Sequence, residues 1–152
     1  MISEEQIKEV EAIIREFFDK TSFELELNIL PLEDKTIPVK IKVEDPKTLI
    51  GQNGQTLADI QHLLKAILSQ KITEQFYVDL DVNNYKEKKT TYLKESAREW
   101  ANDVALSGKE KTLSPMPGFE RRIVHLELIN RSDVITESAG YGQERCVVIK
   151  PR

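Results

Sequence analysis

The chain of 152 residues has one cysteine, Cys146, and two histidines, His62 and His125. A single cysteine cannot form a disulfide within the chain, and these three residues do not have the spacing of zinc ligands. We therefore expect no disulfide, metal or other cofactor, and we predict a reducing compartment.

The chain also lacks a long apolar segment. No run of apolar residues approaches the roughly 18 that suggest a membrane-spanning helix. The acidic N-terminus, MISEEQIKEV, does not have the charged and then apolar layout of a signal peptide. These absences predict a cytoplasmic protein that does not insert into a membrane.

Charge is distributed unevenly along the chain. The formal net charge of −4 by itself argues weakly against binding to nucleic acid. Residues 1–82, however, contain 9 Lys and Arg against 16 Asp and Glu, whereas residues 83–152 contain 13 against 10. The second half is therefore the cationic one, and any binding of phosphate through it should be sensitive to salt.

In the first half, hydrophobic periodicity predicts the element order α-β-β-α-α-β. Ser3 and Gln6 form a capping box at the start of the first helix. Asp45 followed by Pro46 is typical of an N-cap and a first helical residue. Leu63 is expected on the apolar side of the third helix. The predicted elements are a helix over 3–19, strands over 23–29 and 37–43, a helical turn ending at 50, a helix including 57–68, and a strand over 76–82.

In the second half, the pattern predicts a long helix, a short extended segment, a second helix and a closing hairpin. The long helix runs from Tyr85 to about Ser107, places Tyr92 and Trp100 in or beside the core, and ends at Gly108. The apolar residues expected on the second helix are Ile123, Val124, Leu126 and Ile129.

The segment Gly51-Gln52-Asn53-Gly54 lies between two predicted helices. Two glycines three residues apart allow a tight turn with positive φ and let a nucleic-acid backbone approach closely. The amides at the start of the next helix favour phosphate. A helix–helix turn without any ligand explains the same glycines. No Gly-Lys-Ser/Thr follows, which excludes the phosphate loop of nucleotide hydrolases.

This Gly-x-x-Gly, between two helices in the order α-β-β-α-α-β, resembles the loop of type II KH domains, which clamps a few nucleotides by their backbone. Its two central residues are amides where KH loops often carry Lys or Arg. They can hydrogen-bond phosphate or sugar, but without charge attraction. The nucleic-acid contacts that the resemblance implies are those of Gly51, Gln52, Asn53 and Gly54.

A second candidate site lies in Glu120-Arg121-Arg122-Ile123-Val124-His125. On a helix, Arg121 and His125 are four residues apart and lie on one face. A guanidinium beside an imidazole offers donors for phosphate and a flat ring against which a base or sugar can pack. Arg122 is a further candidate for phosphate. The alternative is a solvated charged face on which His125 is an ordinary surface residue.

The motifs around this helix occur in an order that resembles the R-three-H domain. This family is named for its Arg-x-x-x-His and is associated with single-stranded nucleic acid. Leu113-Ser114-Pro115-Met116 precedes the helix, and Thr136-Glu137-Ser138 and Arg145-Cys146-Val147-Val148-Ile149 follow it. The resemblance covers about residues 84–152. Arg145 is either a contact on a strand or the partner of a nearby acid. The binding residues that the resemblance implies are Arg121 and His125, and Arg122 beside them is a further candidate.

A KH unit followed directly by an R-three-H unit is similar to the bacterial Jag, or KhpB, family over essentially the whole chain. Members of that family typically carry a further small N-terminal domain and linker, which is absent here. We therefore expect a short member or a truncated chain. The resemblance also implies a small KH-domain protein as a partner.

Together these patterns predict an α+β chain with a type II KH-like unit over 1–82 and an R-three-H-like unit over 83–152. The expected function is non-catalytic binding of single-stranded RNA, or of single-stranded DNA, through both units. The alternative is an adaptor that dimerises with another KH protein, with RNA binding secondary. A nuclease using His125 would need an acid–base partner or metal set that the sequence does not offer at a suitable spacing, so no enzyme is expected.

Overall fold

A computed structural model describes residues 2–152 of the chain. They form two compact units, one ending at Tyr85 and the other comprising Lys86–Arg152. Each unit has its own hydrophobic core and a three-stranded sheet, which confirms the predicted α+β fold class. None of the helices in residues 2–152 combines the length and apolar character that crossing a membrane requires.

The first unit has the predicted order α-β-β-α-α-β. Its elements are α1 (Glu4–Asp19), β1 (Leu25–Ile29), β2 (Thr36–Val43), α2 (Lys47–Ile50), α3 (Gln55–Leu68) and β3 (Tyr77–Val82). β1 pairs antiparallel with β2, and β2 pairs parallel with β3. A parallel pair needs a crossover connection, and α2 and α3 supply it.

The helix α1 begins at the predicted capping box. The Gln6 amide donates to the Ser3 hydroxyl at 3.2 Å, and the Ser3 amide donates to the Gln6 side-chain oxygen at 2.8 Å. Both bonds satisfy amides that the helix itself leaves without acceptors. The buried residues of α1, spaced four apart, are Val10, Ile14 and Phe18. They pack with buried residues of α3, β2 and β3 to form the first core.

Two predictions in this unit are wrong by one residue. The helix α2 begins at Lys47, with Pro46 as the N-cap, although the Asp45 carboxylate still accepts from the Lys47 amide at 3.3 Å. Leu63 is half exposed, because only Leu64 of this neighbouring pair lies on the buried stripe of α3. Neighbouring positions on a helix point about 100° apart, so a shift of one residue moves a side chain from the core to the surface.

In the second unit, the elements are α4 (Tyr85–Ser107), β4 (Lys111–Thr112), α5 (Gly118–Leu128), β5 (Val134–Ala139) and β6 (Cys146–Pro151). The central strand, β6, pairs antiparallel with β4 on one side and with β5 on the other. Gly108 follows α4 with a φ of 68°, and its amide donates to the Val104 carbonyl at 2.9 Å, as expected for a C-terminal glycine. The predicted closing hairpin is the β5–β6 pair.

The second core is formed by residues of α4, α5 and alternate positions on the strands. Tyr92, Leu126 and Ile129, which the apolar pattern placed in or beside this core, are each more than half exposed. The expectation for these three residues is therefore wrong. The buried residues of α5 are instead spaced four apart and are Glu120, Val124 and Leu128.

Candidate nucleic-acid interface

The Gly-x-x-Gly segment connects α2 to α3 through a 3-10 turn over Gln52–Gly54. Gly51 combines a φ of 71° with a ψ of −174°, a conformation that is essentially restricted to glycine. A Cβ added at Gly51 would collide with the Oγ1 of Thr56. Backbone conformation and packing therefore both require glycine at this position.

Gly54 is the N-cap of α3 and adopts the left-handed conformation, with φ 74° and ψ 14°. A Cβ added there would lie 3.1 Å from the ring of Tyr85. No side chain caps α3, and the amide of its first residue, Gln55, donates to the Gln52 carbonyl within the turn. The side chains of Gln52 and Asn53 are exposed at the turn. The turn thus presents amide donors and no cation.

In the second unit, Arg121 is held against the start of α5. Its Nε donates to the Met116 carbonyl at 3.2 Å. Its Nη2 lies so close to Gly118 that an added Cβ there would be 3.3 Å away. Among residues 2–152, the Nη groups of Arg121 have no hydrogen-bond acceptor. The guanidinium is therefore positioned by the protein, while its terminal donors remain available.

His125 connects α5 to β5. Its Nδ1 lies 2.6 Å from the Thr136 hydroxyl, and its Nε2 lies 3.0 Å from the Ser138 hydroxyl. Thr136 and Ser138 are two residues apart on β5 and so lie on the same side of the strand. In a neutral imidazole one ring nitrogen donates and the other accepts, and a hydroxyl can serve either.

Two causes lower the pKa of His125 below its ordinary value of 6.5. The larger is burial, and the second is the positive charge of Arg121. The imidazole is therefore neutral at pH 7, and both of its nitrogens are engaged within the unit. The positive charge of this site therefore comes from the arginines and not from His125.

Arg122 is exposed and forms no hydrogen bond or ion pair with another residue of the described chain. The two carboxylates of α5 do not neutralise it. Glu120 is 1% exposed and faces the core, and Glu127 accepts from the Arg98 Nε at 2.6 Å. The exposed face of α5 thus carries uncompensated positive charge.

Several functional features of this unit could not be assigned from sequence. The sequence did not predict that Thr136 and Ser138 contact His125, although two hydroxyls at alternate positions of one strand could have indicated it.

The ion pair considered for Arg145 is absent from residues 2–152, and its Nε is buried without an acceptor. No group of His, Cys, Asp or Glu in the same residues is arranged to hold a metal ion.

Burial raises the pKa of Glu120 above its ordinary value of 4.5, and the positive charge of Lys89 partly opposes this effect. The Glu120 Oε1 has no hydrogen-bond partner in the described chain. This carboxyl lies one residue before Arg121 but faces the core. It is therefore part of the packing of α5, separate from the exposed cations.

Comparison with known families and proteins identifies relatives of both units. Residues 91–151 match the R-three-H domain. The RNA-binding protein KhpB of Lactiplantibacillus plantarum is 38% identical over 104 residues, which cover 68% of this chain and 32% of that protein. The RNA-binding protein KhpB of Clostridium symbiosum is 32% identical over 137 residues, which cover 90% of this chain and 62% of that protein.

The RNA-binding protein KhpB of Bacillus subtilis is 33% identical over 117 residues, which cover 76% of this chain and 56% of that protein. The chain thus spans between about a third and just under two thirds of the length of these three relatives. An R-three-H domain preceded by a unit of KH-like order, with similarity to KhpB proteins along most of the chain, shows that this chain belongs to the KhpB, or Jag, family.

Proposed function

We propose that this chain binds single-stranded RNA without catalysing a reaction. The observation that carries the proposal is the exposed, cationic face of α5, where Arg121 is positioned by the Met116 carbonyl and Arg122 has no partner among residues 2–152. The names of the three relatives support RNA as the ligand and do not favour the adaptor alternative. The proposed contact residues are Gly51, Gln52, Asn53, Gly54, Arg121, Arg122 and His125.

In the second unit, the two arginines bind phosphate. A guanidinium presents several donors in a fixed plane and remains charged at any physiological pH, which suits it to phosphate oxygens. His125 has two roles in this proposal. It holds α5 on β5 through Thr136 and Ser138, and its ring face packs against a sugar or base.

In the first unit, the glycine turn binds the RNA backbone by shape and hydrogen bonding. The close approach that Gly51 and Gly54 permit brings the RNA backbone against the turn. Gln52 and Asn53 add amide donors and acceptors for phosphate or sugar. Because the turn itself carries no cation, its contribution should depend less on salt than that of α5.

Binding without cleavage fits the surroundings of His125. To cleave RNA, a general base must reach a proton of the RNA or of a bound water with a ring nitrogen. Both ring nitrogens of His125 already lie within hydrogen-bond distance of hydroxyls on β5. The imidazole is therefore suited to holding the interface together.

The proposal is tested by replacing both arginines. We expect Arg121→Ala combined with Arg122→Ala to weaken binding of a fluorescent oligouridine of about twelve nucleotides by at least about tenfold. Each substitution removes one charge-assisted contact to phosphate. Fluorescence anisotropy at low salt measures the affinity. Unchanged affinity in this variant would refute the proposed α5 interface.

Lys109→Ala is the matched control. Lys109 is exposed and lies just before β4, which pairs with the C-terminal half of β6. The segment before α5 lies at the other end of β6, where the Met116 amide donates to the Arg145 carbonyl. We expect this loss of one positive charge to change affinity little. Combining alanine at Arg121 and His125 is less informative, because loss of His125 also breaks the link between α5 and β5.

Two finer parts of the proposal are tested with the same chain. Titration with oligothymidine in place of oligouridine compares single-stranded DNA with RNA. A small KH-domain partner protein stays a prediction from family resemblance, and native mass spectrometry of the mixture would detect the complex.

A further inference from the structure

Phe119 lies in the first turn of α5, and more than half of its side chain, 53%, is exposed. Its neighbour in sequence, Glu120, is buried in the core. The helix thus turns a carboxyl inward and a large aromatic ring outward, which reverses the usual distribution of these two residue types. The ring is therefore available to a partner outside the described chain.

Phe119 begins a line of exposed residues along α5. Arg122, Leu126 and Ile129 follow it at spacings of three, four and three, so the four side chains share one face of the helix. We call these four residues the outer stripe of α5. Within the outer stripe, only the end at Phe119 places an aromatic ring beside a cation.

The charge of the outer stripe selects the kind of partner. Arg122 has no ion pair with any residue of the described chain, and the nearby carboxylates are either buried, as in Glu120, or paired, as in Glu127. An anionic partner compensates this charge. A ring next to an unpaired guanidinium matches a nucleotide, which offers a flat base and a phosphate a few ångströms apart.

We propose that Phe119 stacks on an unpaired base of the bound strand while Arg122 binds an adjoining phosphate. Residues three apart on a helix have Cβ atoms about 5–6 Å apart, which is a spacing that base and phosphate of one nucleotide can match. The inference rests on the proposed function and deepens it by making an unpaired base the recognised group. A base inside a duplex cannot present its face to Phe119.

The test compares three substitutions of Phe119 in the full chain. Stacking on an aromatic ring predicts that Phe119→Ala weakens binding of oligouridine between about fivefold and a hundredfold. Phe119→Leu, which keeps an apolar side chain but has no ring, should weaken it nearly as much. Phe119→Trp should retain or improve affinity, because indole has a larger face for stacking.

The fluorescence of Phe119→Trp provides a second measurement. We expect saturation with oligouridine to quench the introduced indole, because a stacked base contacts it directly. The unmodified chain contains a single tryptophan, Trp100, which gives the background signal. Unquenched emission from the introduced indole at saturation would overturn the stacking proposal, whatever the affinity.

Leu126→Ala and Ile129→Ala are the matched controls on the outer stripe. Stacking at Phe119 predicts near-normal RNA binding in both variants. Equal losses at Phe119, Leu126 and Ile129 would instead indicate a general apolar contact along the helix and would overturn the proposal. Circular dichroism of every variant checks that α5 remains folded.

The outcomes separate this inference from the proposed function. If the unmodified chain binds oligouridine and Phe119→Ala binds it equally well, the stacking inference fails and the proposed function stands. If the unmodified chain does not bind oligouridine, both fail. The proposal also requires weaker binding to the blunt duplex of oligouridine with oligoadenosine, and equal affinity for the duplex would contradict it.

Discussion

At the scale of single residues, His125 determines how α5 sits on the sheet of its unit. Its two ring nitrogens meet the hydroxyls of Thr136 and Ser138, so one side chain joins a helix to a strand more than ten residues further along the chain. Burial and the charge of Arg121 both disfavour the protonated ring. The position of the arginines on α5 therefore depends on a neutral imidazole.

A pH dependence of stability follows from the lowered pKa of His125. The unfolded chain titrates this group near 6.5, whereas the folded chain titrates it lower, so near and below pH 6.5 the unfolded state binds more protons. The stability associated with His125 is complete above pH 6.5 and is lost as the pH falls through the folded-state pKa. We expect the stability advantage of the unmodified chain over His125→Gln, measured by urea unfolding, to shrink from about pH 7.5 to about pH 5.5.

The stability of the unmodified chain alone does not isolate His125, because the pKa of Glu120 is shifted in the opposite direction. The difference between the unmodified chain and His125→Gln does isolate it. Its raised pKa gives stability that is complete below 4.5 and is lost as the pH rises through the folded-state value. This contribution is common to the unmodified chain and His125→Gln. As a control, His62→Gln removes the other histidine, at an exposed position. If the difference in stability between the unmodified chain and His125→Gln did not change with pH, the fold would not be holding the His125 ring neutral.

At the scale of elements, the turn between α2 and α3 depends on its first glycine for two separate reasons. Gly51 has a positive φ, and an added Cβ would collide with Thr56. Gly108, after α4, has a nearly equal φ of 68°, but a Cβ there would meet nothing within 4 Å. Gly51 therefore combines an unusual backbone conformation with a steric collision, whereas a substitution at Gly108 meets backbone strain alone.

We expect Gly51→Ala to destabilise the chain by more than Gly108→Ala. Strain of a backbone with positive φ costs about 1–3 kcal/mol at either site, and the contact with Thr56 adds to it only at Gly51. Urea unfolding measures both free energies. Thr56→Ser keeps the colliding hydroxyl and should give little relief, whereas Thr56→Ala in the Gly51→Ala background should recover part of the loss. Equal costs at the two glycines would contradict this account.

The helices also show which parts of an element a pattern can predict. The capping box at Ser3 and the end of α4 at Gly108 were predictable, because each depends on residues within one turn. The pattern could not predict which leucine is buried, Leu64 rather than Leu63 in α3 and Leu128 rather than Leu126 in α5. Leucines of equal hydrophobicity compete for the same core, and only the angle at which the helix meets the sheet decides between them.

At the scale of the whole molecule, charge is the property that separates the two units. The acidic first half and the cationic second half predict that the dependence of RNA binding on salt arises mainly from α5. In the proposed binding mode, the glycine turn and Phe119 act through geometry and stacking, which release few counterions. Salt dependence therefore distinguishes the proposed contributions even where affinities are similar.

We expect Arg121→Ala combined with Arg122→Ala to reduce the slope of log affinity against log salt by about 1.4, since each phosphate contact to a single strand contributes roughly 0.7. Phe119→Ala should lower affinity at every salt concentration and leave the slope nearly unchanged. Anisotropy titrations across a salt series measure both. An unchanged slope in the double-arginine variant would mean that these side chains do not bind phosphate.

The sequence by itself determined the element order and the turns, and it indicated the residues that we propose for binding. Those features follow from local rules: the period of apolar residues, the capping of helix ends, and the backbone freedom of glycine. The R-three-H pattern likewise indicated Arg121 and His125, because their spacing along a helix is local.

Only the tertiary structure decided what those residues contact. Thr136 and Ser138 reach His125 because β5 returns beside α5. Phe119 faces outward because Glu120, Val124 and Leu128 occupy the core side of α5. These outcomes depend on contacts between distant segments, whose free energy is shared among many side chains, and no local pattern contains that information.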